Sequence, residues 1–178
     1  MIADVERVLV SEEQIKEAVA RIAAQIEADF EGKEVLFVGL LKGSVAFMAD
    51  LIKAYTKKCT IDFMAVSSYG NSTESSGRVN IVKDLSQPVD GKDIVIVEDI
   101  IDSGNTLSFI KSYFAAKKAN TVKICTLLNK PDRRVADIVV DYVGFDIPDE
   151  FVIGYGLDYA EYYRNLPYVG VLKREIYS

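Results

Sequence analysis

The chain has 178 residues, of which 49% are hydrophobic and 27% charged, with a formal net charge of −6. These values are typical of one globular domain, and the absence of histidine excludes imidazole bases and histidine-ligated metals. The net negative charge argues against broad nucleic-acid binding, which usually needs a basic surface.

The first thirty residues predict an amphipathic helix and no targeting segment. Residues 1–7 lack the basic stretch and apolar core of a signal peptide, and no apolar run in the chain is long enough to cross a bilayer. We therefore expect a cytoplasmic protein without a membrane partner. Ser11 and Gln14 form a capping-box pattern. The helix that follows should end near Gly32 and bury one face, made of Ile15, Ala18, Val19, Ile22, Ile26 and Phe30.

Strands and helices then alternate along the chain. Residues 35–41 predict a buried strand, and a second helix follows the turn at Lys42-Gly43-Ser44. Further strands are expected over 61–68 and 79–82. Between them lies a polar, glycine-containing stretch, about 69–78, that predicts an exposed and mobile loop.

The most informative segment is a continuous apolar strand that ends in acids and turns into a helix. It reads VIVEDIIDSGNTL over residues 95–107, with Glu98, Asp99 and Asp102 as its carboxylates. Carboxylates bind hydroxyls, a metal ion or a proton, whereas loop amides and a helix N-terminus suit a phosphate. The segment therefore fits a ligand that carries both a phosphate and a sugar diol. The plainer alternative is a buried strand with an acidic cap at a helix start.

The remaining chain predicts strands over 122–128, 138–145 and 151–154. Strands that alternate with helices indicate an α/β fold with a mostly parallel central sheet flanked by helices. Ligands of such sheets bind beyond the carboxyl ends of the strands, where the acidic segment is expected to lie. The two cysteines, Cys59 and Cys125, are predicted to be buried free thiols.

The acidic segment resembles the phosphoribosyl-pyrophosphate-binding motif of type I phosphoribosyltransferases, and VEDIIDSGxTL is most similar to the hypoxanthine-guanine branch. Four further segments match, so the resemblance extends over about residues 35–177. It implies a single domain over 1–178, with a small hood built from the N-terminal and C-terminal segments. The implied reaction is Mg²⁺-dependent purine salvage: 5-phosphoribosyl moves to hypoxanthine or guanine, giving IMP or GMP and pyrophosphate.

The resemblance also implies how phosphoribosyl pyrophosphate is bound. Glu98 and Asp99 would contact the ribose hydroxyls, and Asp102 would face N7 of the purine as general acid/base. The implied Mg²⁺ ligands are Glu98, Asp99 and Asp158. The other donor-binding residues would be Ser103, Gly104, Asn105 and Thr106 at the 5′-phosphate, and Leu41, Lys42, Gly43 and Arg164 at the pyrophosphate. In this family the peptide bond between the leucine and lysine is often cis.

The purine site follows from the same resemblance. Lys130 would donate to the 6-oxo group, and an ammonium, which only donates, should reject a 6-amino group. Phe151 would stack on the purine, Val152 would supply backbone groups to the base edge, and Asp158 would complete this site. Ser68 and Tyr69 would begin a lid that keeps water from the reacting sugar. An ordinary solvated loop remains the alternative for that lid.

Two other functions are compatible with these residues. One is a transferase that prefers xanthine or accepts all 6-oxopurines. The other is a regulator that senses phosphoribosyl pyrophosphate and binds RNA or DNA, which the negative charge and the retention of Asp102 and Lys130 disfavour. We expect small-molecule substrates, no nucleic acid and, from the family, a homodimer or homotetramer.

Overall fold

The structure is a computed structural model that describes residues 1–68 and 79–178. Its strands and helices alternate over most of the chain. The strands are β1 (Val5–Val10), β2 (Val35–Leu40), β3 (Cys59–Ser68), β4 (Val79–Lys83), β5 (Asp93–Ile101), β6 (Thr121–Asn129), β7 (Tyr142–Asp146), β8 (Val152–Ile153) and β9 (Val169–Leu172). The helices are α1 (Glu12–Asp29), α2 (Val45–Ala54), α3 (Asn105–Ala116) and α4 (Arg174–Tyr177).

Six of the strands form the central sheet, in the order β4-β3-β2-β5-β6-β7. All neighbours pair in parallel except β4, which runs antiparallel to β3 at one edge. Every residue of β2 is buried, as expected for a parallel strand that helices cover on both faces. The predicted α/β class with a mostly parallel sheet is therefore confirmed.

The helices cover the sheet from two sides. Helices α1 and α2 pack with Val95 and Val97 in one core, whereas α3 packs with Ile94 and Ile96 in the other. The predicted capping box is present, because Gln14 N donates to Ser11 Oγ at 3.2 Å and Ser11 N donates to Gln14 Oε1 at 2.8 Å. All six apolar residues predicted to form the inner face are buried, five of them in α1 and Phe30 directly after it. None of the helices in the described ranges is long and apolar enough to cross a bilayer.

A second, three-stranded antiparallel sheet has the order β1-β9-β8. It joins an N-terminal strand to two strands from the last thirty residues, so it corresponds to the small hood that the resemblance implies. The hood packs on the rest of the chain through Val10, Val152, Val169 and Val171, which share the apolar core of α1 and α2. Of these three strands only β8 was predicted from sequence, since β1 and β9 lack a strong alternating pattern.

One strand prediction is wrong in its first half. The prediction covered 138–145, but β7 is confined to Tyr142–Asp146. Just before this stretch, Val135 N and Ala136 N both donate to the carbonyl of Ser103 in the loop after β5, and Asp141 N is the next to reach β6, at the carbonyl of Ile124. The chain is therefore anchored on the loop after β5 at 135–136 and comes alongside β6 only from Asp141 onward. Both cysteines are free as predicted, but only Cys125 is buried, and Cys59 is half-buried.

Candidate active site

Three neighbouring strands bring the predicted site residues to one edge of the central sheet. The register pairs Gly39 of β2 with Val97 of β5, and Ile101 of β5 with Asn129 of β6. Because all three strands are parallel, the segments that follow them emerge side by side. The sheet therefore places the segments after β2, β5 and β6 where an α/β protein usually binds its ligand.

The segment after β5, which is predicted to bind the 5′-phosphate, is a tight turn that leads into a helix. Gly104 adopts a left-handed conformation with φ of 82°, and α3 begins at the next residue. A β-carbon there would approach Arg134 and Ile138 at 3.0 Å, so this turn suits glycine in both conformation and space. A cavity of about 170 Å³ opens beside the turn. Its lining residues are Glu98, Ile100, Ile101, Asp102, Ser103, Gly104, Thr106 and Leu107.

Glu98 and Asp99 stand next to each other at the end of β5. Asp99 N donates to Glu98 Oε1 at 3.1 Å, and Ile100 N donates to Asp99 Oδ1 at 2.8 Å. Burial and the neighbouring charge of Asp99 raise the pKa of Glu98 well above its usual range. Hydroxyl donors or a divalent cation would therefore stabilise the ionised pair.

Asp158 pairs with the cation Arg164. Its Oδ1 lies 3.1 Å from Arg164 Nη2, and its Oδ2 accepts from Glu161 N at 2.9 Å. Across 1–68 and 79–178, no three acidic or thiol side chains gather into a metal site. The structure thus does not bring Glu98, Asp99 and Asp158 together as one three-residue ligand set.

The predicted pyrophosphate residues do come together. The peptide bond between Leu41 and Lys42 is cis. A β-carbon on Gly43 would overlap the carboxylate of Asp99, and one on Gly156 would overlap the carbonyl oxygen of Gly43. The loop after β2 is therefore packed tightly between the end of β5 and the segment around Gly156.

Lys42 and Arg164, next to this loop, both form ion pairs with Glu161. Lys42 Nζ lies 2.7 Å from Glu161 Oε2, and Arg164 Nη2 lies 3.4 Å from Glu161 Oε1. Arg164 Nη1 also donates to the carbonyl of Gly156 at 2.7 Å. Lys42 and Arg164 thus lie on either side of the same carboxylate, and their binding of pyrophosphate stays a prediction.

The predicted base-binding residues lie on two different elements. Lys130 follows β6, has an exposed fraction of only 8%, and donates its backbone N–H to the carbonyl of Ile101 at 3.0 Å. Phe151 precedes β8 and has an exposed fraction of 37%. Its ring stacks on Tyr177 with centroids 4.8 Å apart, and meets Tyr159 edge-on at 5.6 Å. Val152 is buried and pairs with Val171 of β9.

Arg134 is a site residue that the sequence analysis missed. Its Nε donates to the carbonyl of Asp102 at 3.1 Å, and its Nη2 donates to Asn129 Oδ1. Asn129 Nδ2 in turn donates to Asp146 Oδ1 at 2.7 Å. This chain of contacts ties the backbone of the acidic segment to β6 and β7. No local signal in the polar run around Arg134 distinguishes it from a solvated residue.

The predicted lid is described only at its first residue. Ser68 is the last residue of β3. Tyr69 and the stretch about 69–78 lie outside the described residues, so the lid stays a prediction.

The comparisons with known proteins agree with this geometry. The family model "Phosphoribosyl transferase domain" matches residues 9–160. A hypoxanthine-guanine phosphoribosyltransferase of Bacillus subtilis (strain 168) is 56% identical over 175 residues, which are 98% of this chain and 97% of that protein. The crystal structure of a hypoxanthine phosphoribosyltransferase from Staphylococcus aureus has a TM-score of 0.97 and 52% identity, covering 100% of this chain and 97% of that one.

A second solved structure is nearly as similar. It is a hypoxanthine-guanine phosphoribosyltransferase from Bacillus anthracis with a HEPES molecule in the active site, with a TM-score of 0.91 and 51% identity. The match covers 95% of this chain and 99% of that chain. With one family model over most of the chain and relatives more than half identical from end to end, this chain belongs to the phosphoribosyltransferase family.

Proposed function

We propose that the protein is a purine salvage enzyme that transfers 5-phosphoribosyl from phosphoribosyl pyrophosphate to hypoxanthine or guanine. The strongest support is the shared edge of the sheet, where the phosphate cradle, Asp102 and Lys130 all follow neighbouring strands. The names of the similar proteins from Bacillus and Staphylococcus support the same substrates.

The donor would be held at three points around this edge. Backbone amides at the start of α3 have no partner within the helix and suit the 5′-phosphate. The adjacent carboxylates of Glu98 and Asp99 would accept from the ribose hydroxyls. Lys42 and Arg164 would bind the pyrophosphate in exchange for their present contacts with Glu161.

Asp102 would act as the general base of the reaction. In the reaction, the bond between C1′ and N9 forms while the bond between C1′ and the pyrophosphate oxygen breaks. The purine must then lose the proton on N7, and the carboxylate of Asp102 would accept it. Asp102 is exposed, directly follows β5, and its backbone carbonyl is fixed by Arg134. A carboxylate near the sugar also offsets the positive charge that develops there.

The carboxylates fit a magnesium site of the usual kind. Mg²⁺ binds through one or two carboxylates together with substrate phosphates and water, so a three-residue ligand set is not needed. Glu98 and Asp99 at the ribose, and Asp158 beside the pyrophosphate residue Arg164, are the candidate ligands. Bound there, the ion would neutralise charge on the leaving pyrophosphate.

An assay with four bases tests the function. With phosphoribosyl pyrophosphate and Mg²⁺, we expect turnover of hypoxanthine and guanine. Adenine should be disfavoured on the order of 10,000-fold, because its 6-amino group faces a donor. A preference for xanthine would favour the alternative transferase. Absence of turnover together with retarded RNA in a gel-shift at physiological salt would favour the regulator.

Replacing Lys130 by Ala should weaken base use selectively. We expect the KM for hypoxanthine to rise about 10- to 100-fold, the usual effect of losing a hydrogen bond from a charged group, while the KM for phosphoribosyl pyrophosphate stays unchanged. Lys58→Ala is the control, since this exposed lysine lies before β3 at the opposite edge of the sheet. Equal increases in both KM values would show that Lys130 does not contact the base.

The assembly and location stay predictions. We expect a homodimer or homotetramer that works in the cytoplasm without nucleic acid. Sedimentation of the purified protein would measure the number of subunits.

A further inference from the structure

We propose that Asp149 is a positioning residue that holds the ammonium of Lys130 in place and thereby helps select 6-oxopurines. This inference rests on the proposed function, because it concerns how Lys130 meets the base. Asp149 precedes the hood strand β8 and is far from Lys130 in sequence, so the pairing is visible only in the folded chain.

Lys130 needs a partner because it is nearly buried. Its side chain has an exposed fraction of 9%, and its Nζ lies 3.5 Å from Asp149 Oδ1. Among residues 1–68 and 79–178, Asp149 is the single carboxylate within 4.0 Å of that nitrogen. A buried charge without compensation is costly, so the carboxylate of Asp149 offsets the charge of this nearly buried ammonium.

Arg133 contacts the same carboxylate of Asp149. Its Nη1 lies 3.3 Å from Oδ1 and 3.2 Å from Oδ2 of that carboxylate. Burial raises the pKa of Asp149, but the bonds and charges of Arg133 and Lys130 outweigh it and hold that pKa below its usual value. The carboxylate therefore stays ionised at neutral pH and is held between two cations.

The contact leaves Lys130 free to bind a second acceptor. An ammonium has three donors, and the 3.5 Å contact with Asp149 occupies one of them. The backbone of Lys130 is already fixed on β5 through Ile101. The sheet thus places the backbone, and Asp149 sets where the long, otherwise mobile side chain points.

The same short segment carries the ring that is expected to stack on the purine. Asp149 and Phe151 are two residues apart, in a turn closed by Glu150 N donating to the carbonyl of Pro148 at 2.9 Å. A shift of this turn would move Phe151 at the face of the base and, through Asp149, also Lys130 at its edge. Asp149 therefore connects Lys130, which is expected to donate to O6, with Phe151, which is expected to stack on the purine ring.

The test compares Asp149→Asn with Asp132→Asn. Asp132 is exposed and lies in the short turn between Lys130 and Arg133, so its variant removes one charge from the same region without removing the contact. For Asp149→Asn we expect the KM for hypoxanthine to rise about 10-fold, an unchanged KM for phosphoribosyl pyrophosphate, and a smaller preference for hypoxanthine over adenine. Asp132→Asn should change none of these values.

Asp149→Glu provides a conservative comparison that keeps the charge. Compared with Asp149→Asn, this variant should have a lower KM for hypoxanthine and a stronger preference for hypoxanthine over adenine. A merely structural role of Asp149 does not predict this recovery. If Asp149→Asn matches Asp132→Asn, or raises both KM values equally, the inference is overturned while the proposed function stands. A wild-type enzyme that uses no 6-oxopurine would instead refute the proposed function. If Asp149→Asn fails to fold, a selective rise in the hypoxanthine KM of Asp149→Glu supports the inference, and no rise overturns it.

Discussion

Asp102→Asn is expected to lower the rate of the chemical step by about 100- to 10,000-fold, the usual contribution of general acid/base catalysis. The amide has the shape of the carboxylate but does not accept the proton. The side chain of Asp102 is exposed beyond β5, and its backbone carbonyl, not its carboxylate, holds the contact with Arg134. The phosphate cradle should therefore keep its form, and the affinity for phosphoribosyl pyrophosphate should be largely preserved.

Single-turnover kinetics measure this effect best, because product release limits kcat in many enzymes and would hide part of the loss. Titration calorimetry with phosphoribosyl pyrophosphate and Mg²⁺ measures the binding step. Asp137→Asn is the control, since Asp137 is an exposed acid on the segment that packs against the same loop. An unchanged single-turnover rate would refute the role of Asp102. An equal loss of donor affinity would mean that Asp102 binds the sugar phosphate instead.

The local features of this fold were predictable from the sequence. The capping box at Ser11 and the buried face of α1 depend on residues a few positions apart, and both are confirmed. The apolar run of β5 followed by acids and Ser-Gly specified a strand, a tight turn and a helix start, which the structure contains. Patterns of this kind are determined by neighbouring residues, so a single sequence carries them.

Contacts between distant residues were not predictable in this way. The segment 138–141 is apolar enough for a strand, but its neighbours bind the loop at Ser103. Arg134, Tyr177 and Asp149 reach the site only because the sheet and the hood bring them there. Neither composition nor periodicity indicates such pairings, because each residue alone resembles an ordinary surface residue.

Gly156→Ala is expected to be the second large effect, through both stability and donor binding. Gly156 has φ of 99°, and a β-carbon there would overlap the carbonyl oxygen of Gly43. The left-handed conformation costs about 1–2 kcal/mol for a residue with a β-carbon, and overpacking adds about 1–3 kcal/mol. Because the displaced atom belongs to the loop that we propose binds pyrophosphate, the affinity for phosphoribosyl pyrophosphate should fall about 10- to 100-fold.

Gly91→Ala separates these two causes. Gly91 also has a positive φ, 72°, but a β-carbon there would meet no atom within 4 Å, and it lies before β5 at the opposite edge of the sheet. Urea unfolding should therefore show a loss of about 1–2 kcal/mol for Gly91→Ala and a larger one for Gly156→Ala, with donor affinity reduced only in the latter. Equal losses of stability and unchanged donor affinity in both variants would mean that the loop moves aside freely. The close approach of Gly156 to Gly43 would then have no part in holding the pyrophosphate.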